Sequence, residues 1–131
     1  MVAEEESIMI ARDNSGSIDH HRYKFQILCI RSYCRAKLKS NPKNEIGLMT
    51  MGYTDKIPAY SDHMLYPTSD IKKILSCLHY TEPMLLGNLS FTRGLLSCYA
   101  GLDPLEPSNK LKRKRMLFLL EGMSPFLFVC V

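Results

Sequence analysis

The chain contains no tryptophan and no Cys-x-x-Cys pair. No apolar run approaches the ~20 residues that a helix needs to cross a bilayer. Each absence excludes something. Neither interleaved stacking aromatics nor a second basic face is evident, which argues against single-stranded nucleic acid as a partner. The cysteines, Cys29, Cys34, Cys77, Cys98 and Cys130, are odd in number and lack ligand spacing, which argues against a disulfide framework and a common zinc site. They read as reduced, buried thiols of a cytosolic or nuclear protein. Gly-x-Ser-x-Gly is missing, and no nucleophile, base and orienting group can be assembled. Gly87 and Gly94 lack the Gly-Lys-Ser/Thr ending of a phosphate loop. The expected function is therefore non-enzymatic. The acidic start, Glu4-Glu5-Glu6, does not read as a signal peptide. Internal repeats and low-complexity segments are absent.

What is present fits one domain. The length is 131 residues and 46% of them are hydrophobic, an ordinary globular composition. A chain of this size buries roughly two thirds of its unfolded surface. The net charge of +4 is unevenly placed, with Glu4-Glu5-Glu6 acidic and Lys110 to Arg115 basic. The basic run could be a nuclear-localisation or nucleic-acid patch. It reads better as a solvated lead-in to the apolar strand that follows.

Hydrophobic periodicity predicts alternating strands and helices. Ser7 to Ala11 reads as a buried strand. Tyr23, Ile27, Ile30, Cys34 and Leu38 recur at helical spacing, predicting an amphipathic helix over Asp19 to Lys39. Ser40-Asn41-Pro42 ends it, because the residue before a proline disfavours helix. Ile46 to Met51 is a second strand, and Lys56 to Tyr60 a weaker one whose Pro58 suggests an edge. Pro67-Thr68-Ser69-Asp70 offers a helix start, with Ile71, Ile74, Leu75 and Leu78 following on one face. A third helix is predicted from Thr92 to Ala100, with Leu95, Leu96 and Tyr99 inward and Gly101 and Pro104 as stops. Met116 to Leu120, apolar throughout, suits a parallel strand covered on both faces. This order implies a doubly wound α/β layer structure.

The sharpest motif is Ile8-Met9-Ile10-Ala11-Arg12-Asp13-Asn14-Ser15-Gly16-Ser17. An apolar strand runs into an Asp-x-Ser-x-Ser cluster, a way for open α/β folds to present oxygen ligands at the carboxyl edge of a sheet. His20-His21 lies beside it, but adjacent helical residues point in different directions, so a solvated helix start is expected. His63 and His79 have no partners at ligand spacing.

Ile8 to Ser15 resembles the first strand and Asp-Asn-Ser corner of von Willebrand factor type A (vWA) domains. Further matching stretches are Lys39-Ser40-Asn41-Pro42-Lys43-Asn44-Glu45-Ile46-Gly47-Leu48-Met49-Thr50, Asp70 to His79, and Glu121-Gly122-Met123-Ser124-Pro125. Together they resemble, more narrowly, the vWA domains of the proteasomal ubiquitin-receptor subunit family. The resemblance implies an α/β, vWA-like (Rossmann-type), doubly wound and mostly parallel sheet, incomplete at its carboxyl-terminal end. On this reading residues 1–6 form an acidic tail, residues 7–125 a partial vWA-like domain and residues 126–131 an apolar tail. The early chain end predicts an open apolar edge at Met116 to Leu120, unless the last six residues form a substitute strand.

Two roles for the cluster follow from the resemblance. In metal-binding vWA domains, oxygens at the positions of Asp13, Ser15 and Ser17 hold Mg²⁺, completed by a threonine and an aspartate. Here the completing candidates are Thr92, displaced by one from the usual register, and Glu121, one methylene longer than aspartate. The alternative, preferred here, is docking through Asp13, Asn14 and Ser15 to subunits of the proteasome regulatory particle, in the cytoplasm and nucleus, with no cofactor. Ubiquitin is a weaker partner expectation, because the family's ubiquitin-interacting helices have no counterpart in this sequence. Rival readings are a vWA subunit of a general transcription and repair factor, and a free Mg²⁺-dependent ligand-binding domain.

Overall fold

The computed structural model describes residues 4–13, 20–53, 64–80, 88–89, 91–102, 112–120 and 127–130. Their elements, in chain order, are β1 (Glu6–Arg12), α1 (His20–Ser40), β2 (Glu45–Thr50), β3 (Gly52–Tyr53), β4 (Met64–Thr68), α2 (Ile71–Tyr80), β5 (Asn88–Leu89), α3 (Phe91–Leu102), β6 (Arg113–Leu120) and β7 (Leu127–Cys130). Five strands form a mixed sheet in the order β4-β2-β1-β6-β7. The three central strands are parallel, and β4 and β7 join antiparallel at the edges. β3 and β5 make a separate two-residue ladder. Every residue of β1 is buried, as befits a central strand covered on both faces.

Side-chain alternation sends Ile8 and Ile10 to one face and Met9 and Ala11 to the other. The first face packs under α1 and α2, against Tyr23, Ile27, Ile30 and Cys34 of α1 and Ile74 and Leu78 of α2. The helical spacing of these residues matches the predicted stripe. The second face packs under α3 through Met49, Met51, Cys98, Leu102 and Phe118.

Asn44 fastens α1 to β1. Its buried side chain accepts from the Glu6 amide at 2.9 Å and donates to the Lys37 carbonyl at 3.0 Å. One residue thereby satisfies a strand amide and adds a donor to a carbonyl of the last helical turn that also accepts the Asn41 amide at 3.1 Å. Lys43 donates its amide to Asn41 Oδ1 at 3.0 Å, making the tight turn that brings Asn44 there. At the next junction, Asp70 Oδ1 accepts from the Lys72 amide at 3.0 Å and caps α2. Pro67 and Thr68 belong to β4 rather than to the helix start, and Thr68 Oγ1 accepts from the Asp70 amide at 3.1 Å. β4 is an edge strand, where Pro67 costs no ladder bond. The edge strand expected at Lys56 to Tyr60 lies outside the described residues. At Gly47 the β2–β4 register shifts, and a Cβ there would lie 2.7 Å from the Leu65 carbonyl oxygen. Only glycine admits so close an approach of the β4 backbone.

Three expectations are corrected. Leu95, Leu96 and Tyr99 are exposed rather than inward, at 37%, 65% and 63%. The buried stripe of α3 is Gly94, Cys98, Gly101 and Leu102. Gly101 does not stop α3. It lies inside the helix, and a Cβ there would meet the Met9 sulfur at 3.1 Å, so the missing side chain lets helix and sheet approach closely. β6 is not an open edge, because β7 pairs with it from Leu117–Cys130 to Leu120–Leu127.

The basic run is neither free nor merely solvated. Lys112 pairs with Glu45 at 3.1 Å, Arg113 with Glu4 at 3.4 Å, and Arg115 with Glu6 at 2.9 Å. Glu6, nearly buried at the start of β1, also meets Lys37 at 2.7 Å. The acidic start and the basic run therefore clamp β1, α1 and β6 together at the amino edge of the sheet.

Candidate functional site

The opposite, carboxyl edge is where open α/β sheets take ligands and partners. Two backbone bonds shape it. The Asp13 amide donates to the Leu119 carbonyl at 3.2 Å, and the Met51 amide donates to the Arg12 carbonyl at 2.8 Å. β1 therefore stays tied to both parallel neighbours up to its last residue. Asp13 is 1% exposed. The first turns of α3 reach the same edge, since a Cβ on Gly94 would fall 2.7 Å from Met51 Cγ. Asp13 and the backbone of Thr92, the second residue of α3, thus share one edge.

The other cluster residues, Asn14, Ser15 and Ser17, lie outside the described residues, as do Glu121 and the Thr92 side chain. Among the described residues no group of three or more His, Cys, Asp or Glu could hold a metal ion. His21 is exposed on the first turn of α1, in keeping with a solvated helix start.

The sequence reading passed over the residue before Asp13. Arg12 is 1% exposed, and its Cζ lies 5.6 Å from the centroid of the Tyr23 ring, a cation–π distance. Its alternation with Ile8 and Ile10 puts it on the α1 and α2 face. Burial pushes its pKa below the ordinary arginine value, opposed by Tyr23 and Cys77. Two buried polar residues accompany it. Thr50 is its register partner on β2, and Gln26 stands one helical turn beyond Tyr23. The signals were legible: an arginine inside an apolar strand, and a glutamine on the inward stripe of a helix.

The thiols are set by burial. Cys34 and Cys98 are completely buried, and burial pushes each from an ordinary 9.0 up to about 12. The Cys98 thiol donates to the Met49 sulfur at 3.4 Å. Neither is a nucleophile near neutral pH, because the thiolate is the reactive form.

A mixed sheet with a parallel centre, helices on both faces and an Asp at the carboxyl end of its first strand defines a vWA-type α/β domain. The crystal structure of the SpRpn10 VWA domain superposes with a TM-score of 0.65 at 26% identity, over 91% of this chain and 61% of that one. Within that class, the chain is homologous to the vWA domain of 26S proteasome non-ATPase regulatory subunit 4. It is 36% identical over 91 residues to the subunit 4 homolog of Oryza sativa subsp. japonica, across 65% of this chain and 21% of that protein. With the Arabidopsis thaliana homolog it shares 30% identity over 118 residues, across 86% and 28%. With the Drosophila melanogaster subunit it shares 35% over 113 residues, across 82% and 26%. The chain thus spans between about a fifth and just over a quarter of these curated relatives' length. No protein-family model matches it. Among the described residues, no helix is long and apolar enough to cross a membrane.

Proposed function

We propose that this chain is a non-enzymatic docking module for the proteasome regulatory particle, acting in ubiquitin-dependent protein catabolism in the cytoplasm and nucleus. The observation that carries the reading is the match to a proteasome regulatory subunit across 86% of the chain. The docking edge is the carboxyl end of β1, with Asp13, Asn14 and Ser15 as contact or supporting residues. Loops held on a rigid sheet are suited to partner recognition. The partners are subunits of that particle. The test is gradient co-sedimentation of the tagged chain with intact proteasomes. The wild-type chain is expected in the proteasome fractions, and its absence from them overturns the proposal. The double variant Asn14→Arg, Ser15→Arg is expected to leave those fractions; if it stays, the docking edge lies elsewhere.

A further inference from the structure

The end of β1 carries a buried charge that meets an aromatic ring and no acidic group among the described residues. The Nε and Nη1 atoms of Arg12 are buried without a hydrogen-bond partner. Among the described residues the groups acting on it electrostatically are Tyr23, which also hydrogen-bonds it, and Cys77, neither of them a carboxylate. Beside it, the hydroxyl of Thr50 is equally unpartnered, in a residue only 2% exposed. The Thr50 and Arg12 backbones are register partners on adjacent parallel strands. Alternation sends Thr50 to the same face as Ile46 and Leu48, under α1 and α2. Gln26 is 0% exposed, and neither its amide nitrogen nor its oxygen has a partner.

Buried polar groups in native folds are nearly always paired, and buried charges are paired or compensated. Arginine does not escape by losing its proton. Water would satisfy Thr50 and Gln26 but would leave the guanidinium charge uncompensated. A cation is repelled by Arg12, and an apolar ligand leaves every donor unmet. What the unpartnered guanidinium N–H groups, Gln26 amide and Thr50 hydroxyl have in common is that all can donate. Their complement is a small group with negative charge and several acceptor oxygens. We propose that Arg12, Gln26 and Thr50 form a binding site for a small oxyanion, a carboxylate or a phosphate, behind the carboxyl edge of the sheet. Strand alternation sends Asp13 to the opposite face from Arg12, and the proposal stands whether or not the chain docks on proteasomes.

The test is a thermal melt of the full chain titrated with sodium formate or sodium phosphate against chloride at matched ionic strength. At ten times the dissociation constant the bound oxyanion is expected to raise the melting temperature by about 5 °C. The rise saturates, and Arg12→Met abolishes it. Saturation with formate alone assigns a carboxylate, and with phosphate alone a phosphate. Thr50→Val removes only a hydroxyl and is expected to weaken the affinity about fivefold. This variant keeps the test informative should Arg12→Met fail to fold. If neither anion gives a saturable rise, the proposal fails. It fails equally if Arg12→Met or Thr50→Val responds as the wild type does.

Discussion

Single residues set the chemistry by where they are buried. Cys34 shows the consequence for pH. In the unfolded chain its thiol ionises near 9, and in the folded protein only near 12. Between those values the unfolded state has lost a proton that the folded state retains. Stability is therefore unaffected below about pH 8 and falls as pH rises above it, by about 1.4 kcal/mol in all between pH 8 and 10 for this thiol. Cys98 acts in the same direction. Urea unfolding between pH 8 and 10 checks this, and Cys34→Ala is expected to flatten the decline. The same scale separates what could be read of the site from what could not. Asp13 was legible from its place at the end of an apolar run. The unpartnered Nε and Nη1 of Arg12 were not, because what surrounds a buried cation depends on neighbours distant in sequence, here Tyr23, Thr50 and Cys77.

At the scale of elements, the junctions carry more information than the stripes. Tyr23, Ile27, Ile30 and Cys34 specify α1 by spacing alone. Its register against β1 is set by Asn44, which spans the Glu6 amide and the Lys37 carbonyl. Asn44→Ala leaves both groups without that partner and is expected to cost about 2 kcal/mol. The measurement is a lower urea midpoint with an unchanged m-value. If the midpoint holds within experimental scatter, the turn rather than the side chain fixes the junction. α3 is the contrary case. Its large apolar residues pointed to one face as core, yet the helix buries Gly94, Cys98 and Gly101 instead. Helix-period counting weights bulk, whereas Met9 and Met51 occupy the space that small residues leave.

For the whole molecule, the deciding feature is how the sheet ends. β4 closes one side, with Pro67 on a strand that needs pairing on one flank only. β7 closes the other by an antiparallel ladder to β6. An unpaired apolar strand edge invites association. Deleting residues 127–131 is therefore expected to abolish a cooperative melt and produce concentration-dependent aggregates, with sedimentation velocity as the readout. A monodisperse deletion variant would mean that β6 tolerates an open flank. The clamp at the amino edge acts on the same scale. Glu6 draws Lys37 and Arg115 onto one carboxylate, so α1 and β6 are held at their ends by charge as well as by the core.

The sequence by itself determined the α/β class, the three central strands, two of the three helix faces, the Asp at the carboxyl edge and the vWA relationship. Those follow from local period and short runs of residues, which the chain carries without reference to its distant parts. Only the tertiary structure decided the rest: the antiparallel edges, the small-residue face of α3, the ion-paired state of the basic run and the burial of Arg12 against Tyr23 with two nitrogens unpartnered. Each of these depends on which surfaces meet after folding. A strand edge, a close helix approach or the surroundings of a buried charge exist only between elements, so no local pattern records them.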